Sequence, residues 1–543
     1  MKIRSLIKIA VIISVALLCT GFGVYSFFRL NAVERQKDFN LYSLVPQNAI
    51  AVVETDHMAE LIQRIKHLKC SQDNHFLYVS DIFVALKSYL HTLLDETPHG
   101  LSRQMSKMII SFHEPDNPLN QVLYCSLGSG DYELVENFIK KYCSNTFPVK
   151  IFDYKGKEIK IYSMSDGRFL ASYLTSRFLV VSFQKRLVEQ VIDAQYAKRS
   201  LIDLSSFRNI IHKGKVANAE ALIYVRMNAV NMGKKTGSLC LQSYLGSWTE
   251  FELKLNENAI YCSGISYDAD TAMTFSKAVR NQEPVEGFFG EKLPASTFFY
   301  DCWAVSDMDT MLEFTAKQAY VKANYSDDVK TKDREWISFL KSYGGKQIVS
   351  CLFQSKDTLK ADPCAILSIP MKNAKQAEIY LRILLNSTSS NGHLPASQHL
   401  VKSDSFFKKT GCHLYSLIGN ALLTQLTGIT QQATSYACFY HGDLLIALDV
   451  DSLMEYVEAM EENNILKGTP SYEEGIGSLS PLYNFMIMAD MKKMSYQPEA
   501  YARLIPNFFF RQSSFFRHFI LCIQFTCNNG VVYPNIVLLY NKE

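Results

Sequence analysis

What this 543-residue chain has least of is charge imbalance: 56 Lys and Arg stand against 53 Asp and Glu, a formal +3. So small an excess builds no field that would gather a polyanion, and no nucleic-acid partner is expected. Proline is scarce, at 15 residues, while 30 Tyr and 34 Phe make the chain aromatic-rich, a balance suited to sheets that pack helices. With 48% hydrophobic and 20% charged residues the composition excludes a disordered chain. The thirteen cysteines include no C-x-x-C pair, so the spacing signature of a zinc site is missing. Cys125, Cys262, Cys351, Cys364, Cys438 and Cys522 fall inside apolar, strand-like runs and read as small buried hydrophobes. An exported compartment would permit disulfides, and the sequence leaves their pairing open.

The motifs that announce chemistry are also missing. Gly128-Ser129-Gly130 stands between a strand and a helix, the right place for a phosphate loop, but lacks a third glycine and a Gly-Lys-Ser/Thr ending. It reads as a turn with Asp131 as helix cap. There is no His-Glu-x-x-His; His57 and Glu60 are one helical turn apart near Glu54 and Asp56, and read as exposed helix polarity. There is no Gly-x-Ser-x-Gly elbow. The carboxylate pairs Glu461-Glu462 and Glu473-Glu474 sit in polar surroundings and read as solvated. No catalytic, cofactor-binding or metal-binding residue is nominated, and the expectation is a protein that is not an enzyme. Triad members can be distant in sequence, so a hydrolase with non-local catalytic residues stays as one alternative.

What the chain does contain begins at its N-terminus. Lys2, Arg4 and Lys8 precede Ile9 to Phe28, twenty residues without a charge. That length crosses a hydrocarbon core of roughly 30 Å as a helix. No Ala-x-Ala cleavage pattern follows, and Tyr25, Phe27 and Phe28 form an interfacial aromatic belt, so an uncleaved signal anchor is favoured over a cleaved signal peptide. Leu18 before Cys19 disfavours lipidation there. Basic residues lie on both sides, Lys2, Arg4 and Lys8 against Arg29, Arg35 and Lys37, and the terminal amine tips the balance modestly to the N-terminal side. That side would face the cytoplasm, and the bulk would be extracytoplasmic, most simply periplasmic, in a single-pass protein of the cell envelope.

The remainder reads as a tandem repeat. After a polar stalk over 29–44, "VPQNAIAVVETDHMAELI" (Val45–Ile62) gives turn, strand and helix, and "LPASTFFYDCWAVSDMDTML" (Leu293–Leu312) opens the same way. "RFLVVSFQKRLVEQVIDA" (Arg177–Ala194) pairs with "DLLIALDVDSLMEYVEAM" (Asp443–Met460), and the hairpin at Thr249–Asp268 with Ile520–Tyr540. Six elements recur in order. The expected organisation is an anchor over 1–28, the stalk, a lobe over 45–268, a connector over 269–292 and a second lobe over 293–543. Short turns between strands imply antiparallel pairing and the apolar helix stripes imply helices laid on a sheet, so each lobe is expected to be α+β. The Ser- and Asn-rich stretch Asn386–Gly411 reads as a long polar loop.

A Pro-led turn into a strand just after an N-terminal anchor, "VPQN" and more closely "LPAS", resembles a family of bacterial, Bacteroidetes-type exported envelope proteins of unknown function whose lobes open on a Leu-Pro-Ala-Asp-like turn. The resemblance implies no catalytic residues. The one surface feature singled out is aromatic: Phe508, Phe509, Phe510, Arg511, Phe515, Phe516 and Arg517 before the last hairpin, with Tyr244 and Trp248 before the first. Aromatics beside arginine mark interfaces, such as a partner-binding or membrane-surface patch. The competing and favoured reading is that these rings fill the lobe core or pack between lobes. Since Phe508-Phe509-Phe510 do not alternate cleanly, some ring is expected to face outward or into another lobe. The leading expectation is an anchored, non-enzymatic binding or scaffold protein with an envelope protein as partner. A module holding a small or lipidic ligand between its lobes is a further alternative. No cofactor is expected, and any small-molecule ligand is unknown.

Overall fold

In this computed structural model the described residues are 39–73, 107–114, 117, 119–128, 131–143, 148–164, 167–211, 219–226, 248–267, 282–287, 290–304, 306–322, 327–357, 362–389, 405–418, 434–501, 504–505 and 507–541. The expected anchor over 1–28 lies outside them. Among the described residues no helix is long and apolar enough to cross a membrane. The chain divides into two compact units, residues 1–63 with 78–209, and residues 64–77 with 210–543.

The first unit contains strands β1 (Ala51–Thr55), β2 (Met108–Phe112), β3 (Gln121–Ser126), β4 (Lys150–Tyr154), β5 (Lys157–Ser163), β6 (Phe169–Leu174) and β7 (Phe178–Ser182). They pair antiparallel throughout, in the order β4-β5-β6-β7-β3-β2-β1. β2 and β3 are buried on both faces, which is why "MIIS" and "VLYC" read as continuous rather than alternating apolar runs. Helix Lys185–Ala197 lies on β5, β6 and β7 and buries Leu187, Val188, Val191 and Ile192, a stripe at spacings of three and four. Strand β4 was not expected. Four of its five residues are exposed, so no alternation betrays it. It is held by the two-residue turn Lys155-Gly156, with φ of 52° and 73°, where lysine stands in place of the usual Asn or Asp.

The second unit contains β8 (Ala221–Val225), β9 (Trp248–Asn256), β10 (Ala259–Tyr267), β11 (Val285–Glu286), β12 (Thr297–Ala304), β13 (Gln347–Phe353), β14 (Cys364–Pro370), β15 (Tyr415–Ile418), β16 (Thr434–Tyr440), β17 (Asp443–Ala447), β18 (Leu482–Tyr483), β19 (Phe485–Asp490), β20 (Phe519–Asn528) and β21 (Val531–Tyr540). Twelve of these form an antiparallel sheet in the order β8-β9-β10-β21-β20-β19-β12-β13-β14-β17-β16-β15. β11 pairs with β18 apart from it. The run β15-β16-β17-β14-β13-β12 has the same strand order as the run β5-β6-β7-β3-β2-β1 of the first unit. On one face, Tyr300, Cys302, Val349, Cys351, Ile366 and Leu445 meet Leu453, Tyr456 and Val457 of helix Val450–Glu461. Burial of Leu453 and Val457 contributes about 1.5–3 kcal/mol each.

The stretch expected to be one long polar loop is partly helical. Helix Ala374–Ser389 runs through its first residues, and helix Ser405–Thr410 buries Phe407 completely. Polar composition hid one anchoring ring. The cysteines fill space: ten are free thiols among the described residues. Burial pushes Cys125, Cys262, Cys302 and Cys522 up to about 12, so they stay protonated and unreactive.

Gly264 of β10 lies opposite Phe251 of β9, and a Cβ there would run into the Glu250 carbonyl oxygen and the Phe251 ring. Gly264→Ala is expected to destabilise this unit by about 2 kcal/mol. Urea unfolding followed by tryptophan emission checks it; an unchanged midpoint would contradict the packing described.

Candidate functional site

The aromatic set does not form one site. Helices Asn507–Arg511 and Ser513–Phe516 pack Phe508 on Phe509 and Phe516, at ring centroids of 5.6 and 5.5 Å, and Phe515 on Phe519 at 4.8 Å. Phe519 continues to Tyr540 of β21 at 5.6 Å. Phe509, Phe510, Phe515 and Phe516 are buried, so four of the five nominated phenylalanines are core. Phe508 is 46% exposed and Arg511 and Arg517 face solvent. Trp248 is buried at the start of β9, with the Arg226 guanidinium 5.1 Å over its ring. The register of β9, β10, β21 and β20 puts it at the opposite end of the hairpins from Phe519 and Tyr540. Tyr244 lies outside the described residues.

His57 is exposed, and its amide donates to Thr55 Oγ1 at 3.1 Å, the hydroxyl serving the start of helix Met58–His67. Among the described residues no cluster of His, Cys, Asp and Glu is arranged to hold a metal ion.

The strongest polar constellation was not nominated from sequence. Ser111 Oγ is 2.8 Å from His113 Nε2, and His113 Nδ1 is 3.1 Å from Asn48 Oδ1. Asn48 Nδ2 donates to Gln190 Oε1 at 3.3 Å, and Ser111 Oγ lies 3.1 Å from Tyr124 OH. With Asn48 presenting its carbonyl to the ring, the imidazole proton belongs on Nδ1. Nε2 then accepts from Ser111, whose oxygen accepts from Tyr124. Five groups form one directional chain from the centre of β3 to the surface. Burial, reinforced by the Arg186 charge, lowers His113 to about 4, so the ring is neutral at physiological pH. Ser, His and Asn here have the order of a nucleophile, base and orienter. Yet Ser111 and Tyr124 are fully buried, and the hydroxyl is engaged from two sides, leaving no open side for a reacting carbonyl. The sequence signal was available: Ser111 and His113 are polar residues two apart in "KMIISFH", and so on one face of the strand.

A second pair of polar groups, buried Glu54 and half-buried Asp301, concerns register. Glu54 of β1 stands opposite Ile109, three residues before Phe112; Asp301 of β12 stands opposite Ser350, three residues before Phe353. Glu54 accepts from Tyr42 OH at 2.8 Å and pairs with Lys107 Nζ at 3.0 Å. Burial lowers Lys107, but the charges of Glu54 and Asp56 outweigh it and raise the ammonium overall. The position corresponding to Lys107 in β13 is Ile348. Among the described residues Asp301 has no counterion, and its Oδ1 is sealed from solvent with no hydrogen-bond partner there. Burial raises this carboxyl to about 8, against a smaller opposing pull from the Ser350 backbone N–H.

The described residues thus define a mixed helix-and-strand protein built on large antiparallel sheets, with neutralised polar groups inside and a basic, aromatic corner outside. Residues 108–300, less than half of the chain, match the family described as protein of unknown function (DUF3352). No curated protein matches. Among solved structures, the chain is similar to crystal form III of TP0453, at 11% identity over 46% of this chain and 91% of that one, with a TM-score of 0.25. Crystal form I of TP0453 gives 11% identity, 46% and 89% coverage and a TM-score of 0.23.

Proposed function

We propose that this chain is a membrane-anchored, extracytoplasmic protein of a bacterial envelope, built from two duplicated lobes, that binds a partner rather than catalysing a reaction. The twenty-residue uncharged stretch from Ile9 supports the anchor and the N-inside orientation. The equal strand order of β5-β6-β7-β3-β2-β1 and β15-β16-β17-β14-β13-β12 supports the duplication. The observation that carries the binding reading is Phe508. It is exposed at the end of a packed ladder of rings that hold its position, and arginines flank it. A rigid aromatic beside Arg is the composition of an interface anchor.

The test is a photoreactive residue placed at position 508 of the full chain and cross-linked in native membranes. A specific adduct that does not form when the same residue stands instead at exposed Tyr533, at the far end of the last hairpin, supports the reading. A chain that yields no adduct at 508 while remaining folded would sink it.

A further inference from the structure

The segment Met491–Phe519 of the second unit differs in charge from the rest of the chain. It holds five basic residues (Lys492, Lys493, Arg503, Arg511, Arg517) and one acidic residue, Glu499, an excess of four. The entire chain has an excess of three, so everything outside this segment is close to neutral. Helix Met491–Met494 packs against helix Ser513–Phe516, and helix Asn507–Arg511 joins the same helix through the Phe508–Phe516 contact. The basic residues that are described and the exposed ring therefore share one corner. Lys492, Arg511 and Arg517 are exposed and Lys493 is half-buried. Asp490, at the start of that helix, turns its carboxylate onto the backbone N–H groups of Lys492 and Lys493. Tyr496, 77% exposed, stands just beyond that helix.

We propose that this corner docks on an anionic lipid surface, with Phe508 and Tyr496 entering the headgroup layer and the surrounding lysines and arginines facing lipid phosphates. The charge pattern favours lipid over protein. One-signed charge spread around two separate aromatic side chains offers no contiguous apolar core of the kind protein interfaces bury, but it matches a diffuse anionic plane. Each basic side chain near such a surface raises the partition constant about fivefold, and the contact weakens with salt. The proposal deepens the binding reading above and rests on it for the role of Phe508.

The reporter is Phe508→Trp in the full chain, reconstituted into vesicles whose acyl chains carry bromine quenchers. The chain's three tryptophans, Trp248, Trp303 and Trp336, are all buried, so the introduced indole is the accessible one. On phosphatidylcholine vesicles containing phosphatidylglycerol its emission is expected to fall about twofold. On phosphatidylcholine alone, or at high salt, it should not fall. Adding Lys493→Glu and Arg517→Glu should abolish the quenching while far-UV circular dichroism stays the same. No quenching on anionic vesicles, or equal quenching on both kinds, overturns the proposal. If the cross-linker at 508 captures a protein while the indole is not quenched, the lipid assignment falls and the binding reading stands. If neither gives a signal, both fall.

Discussion

Asp301→Asn is expected to make the second unit more stable at pH 7, by up to about 2–3 kcal/mol. In the unfolded chain the carboxyl ionises around 3.8; in the fold it holds its proton to about 8. The unfolded state therefore releases a proton that the folded state keeps. Stability is full below pH 3.8, declines as pH rises, and reaches its floor above about 8. At pH 7 the loss amounts to at most about 4 kcal/mol, because the side chain is only half-buried, and asparagine, which cannot ionise, avoids it. Its own amide hydrogens would be left unpaired in the same place, which offsets about 1–2 kcal/mol of the gain. All three tryptophans belong to this unit, and Trp303 is two residues along the same strand, so emission during urea unfolding reports the right event. The gain should be large at pH 8 and vanish at pH 4. A difference between variant and parent that is the same at both would show that ionisation is not its cause.

The first unit is expected to respond in the opposite sense. His113 titrates near 6.5 when unfolded and about 4 when folded, so the unfolded state takes up a proton first as pH falls. Its contribution is full above pH 6.5, falls between 6.5 and 4, and is exhausted below 4, a total of about 3 kcal/mol. A protonated ring would have to donate from both nitrogens and reverse the chain through Ser111 and Tyr124, leaving the Tyr124 proton without its present acceptor. His113→Gln removes the titration. It is expected to cost about 1–2 kcal/mol at pH 7, through lost hydrogen bonds, and to show a shallower decline toward pH 4. Hydrogen exchange of the β2 and β3 amides reads this unit directly. Parallel declines in parent and variant would contradict the role given to His113.

Much of the architecture was legible because period and punctuation agree. The strand from Phe178 and the hairpin turning at Glu257-Asn258 appear where the apolar run and the turn residues place them. β4 was not legible, because an edge strand with exposed side chains has no hydrophobic signature and its turn uses lysine. The candidate sites were harder for a physical reason. Whether a phenylalanine faces core or solvent in "NFFFRQSSFF" depends on two short helices and their neighbours, not on period. The Asn48–His113–Ser111–Tyr124 chain draws its members from three separate segments. The unpaired state of Asp301 follows from an isoleucine in the next strand, which acquires meaning only once the register is known.

The pairing of β10 with β21 has a consequence for synthesis. Ala259 lies beside Leu539, and Cys262 beside Ile536, so the outer edge of β10 finds its partner only when the last strand has been made. At about 5–20 residues per second, that leaves the edge waiting for some tens of seconds on the growing chain. For that interval β9 and β10 form a finished hairpin with a row of unused amides and carbonyls, the geometry that recruits a strand from a neighbouring chain. A holding chaperone, or slow delivery that keeps nascent chains apart, would serve this protein most between the emergence of residue 267 and that of residue 540.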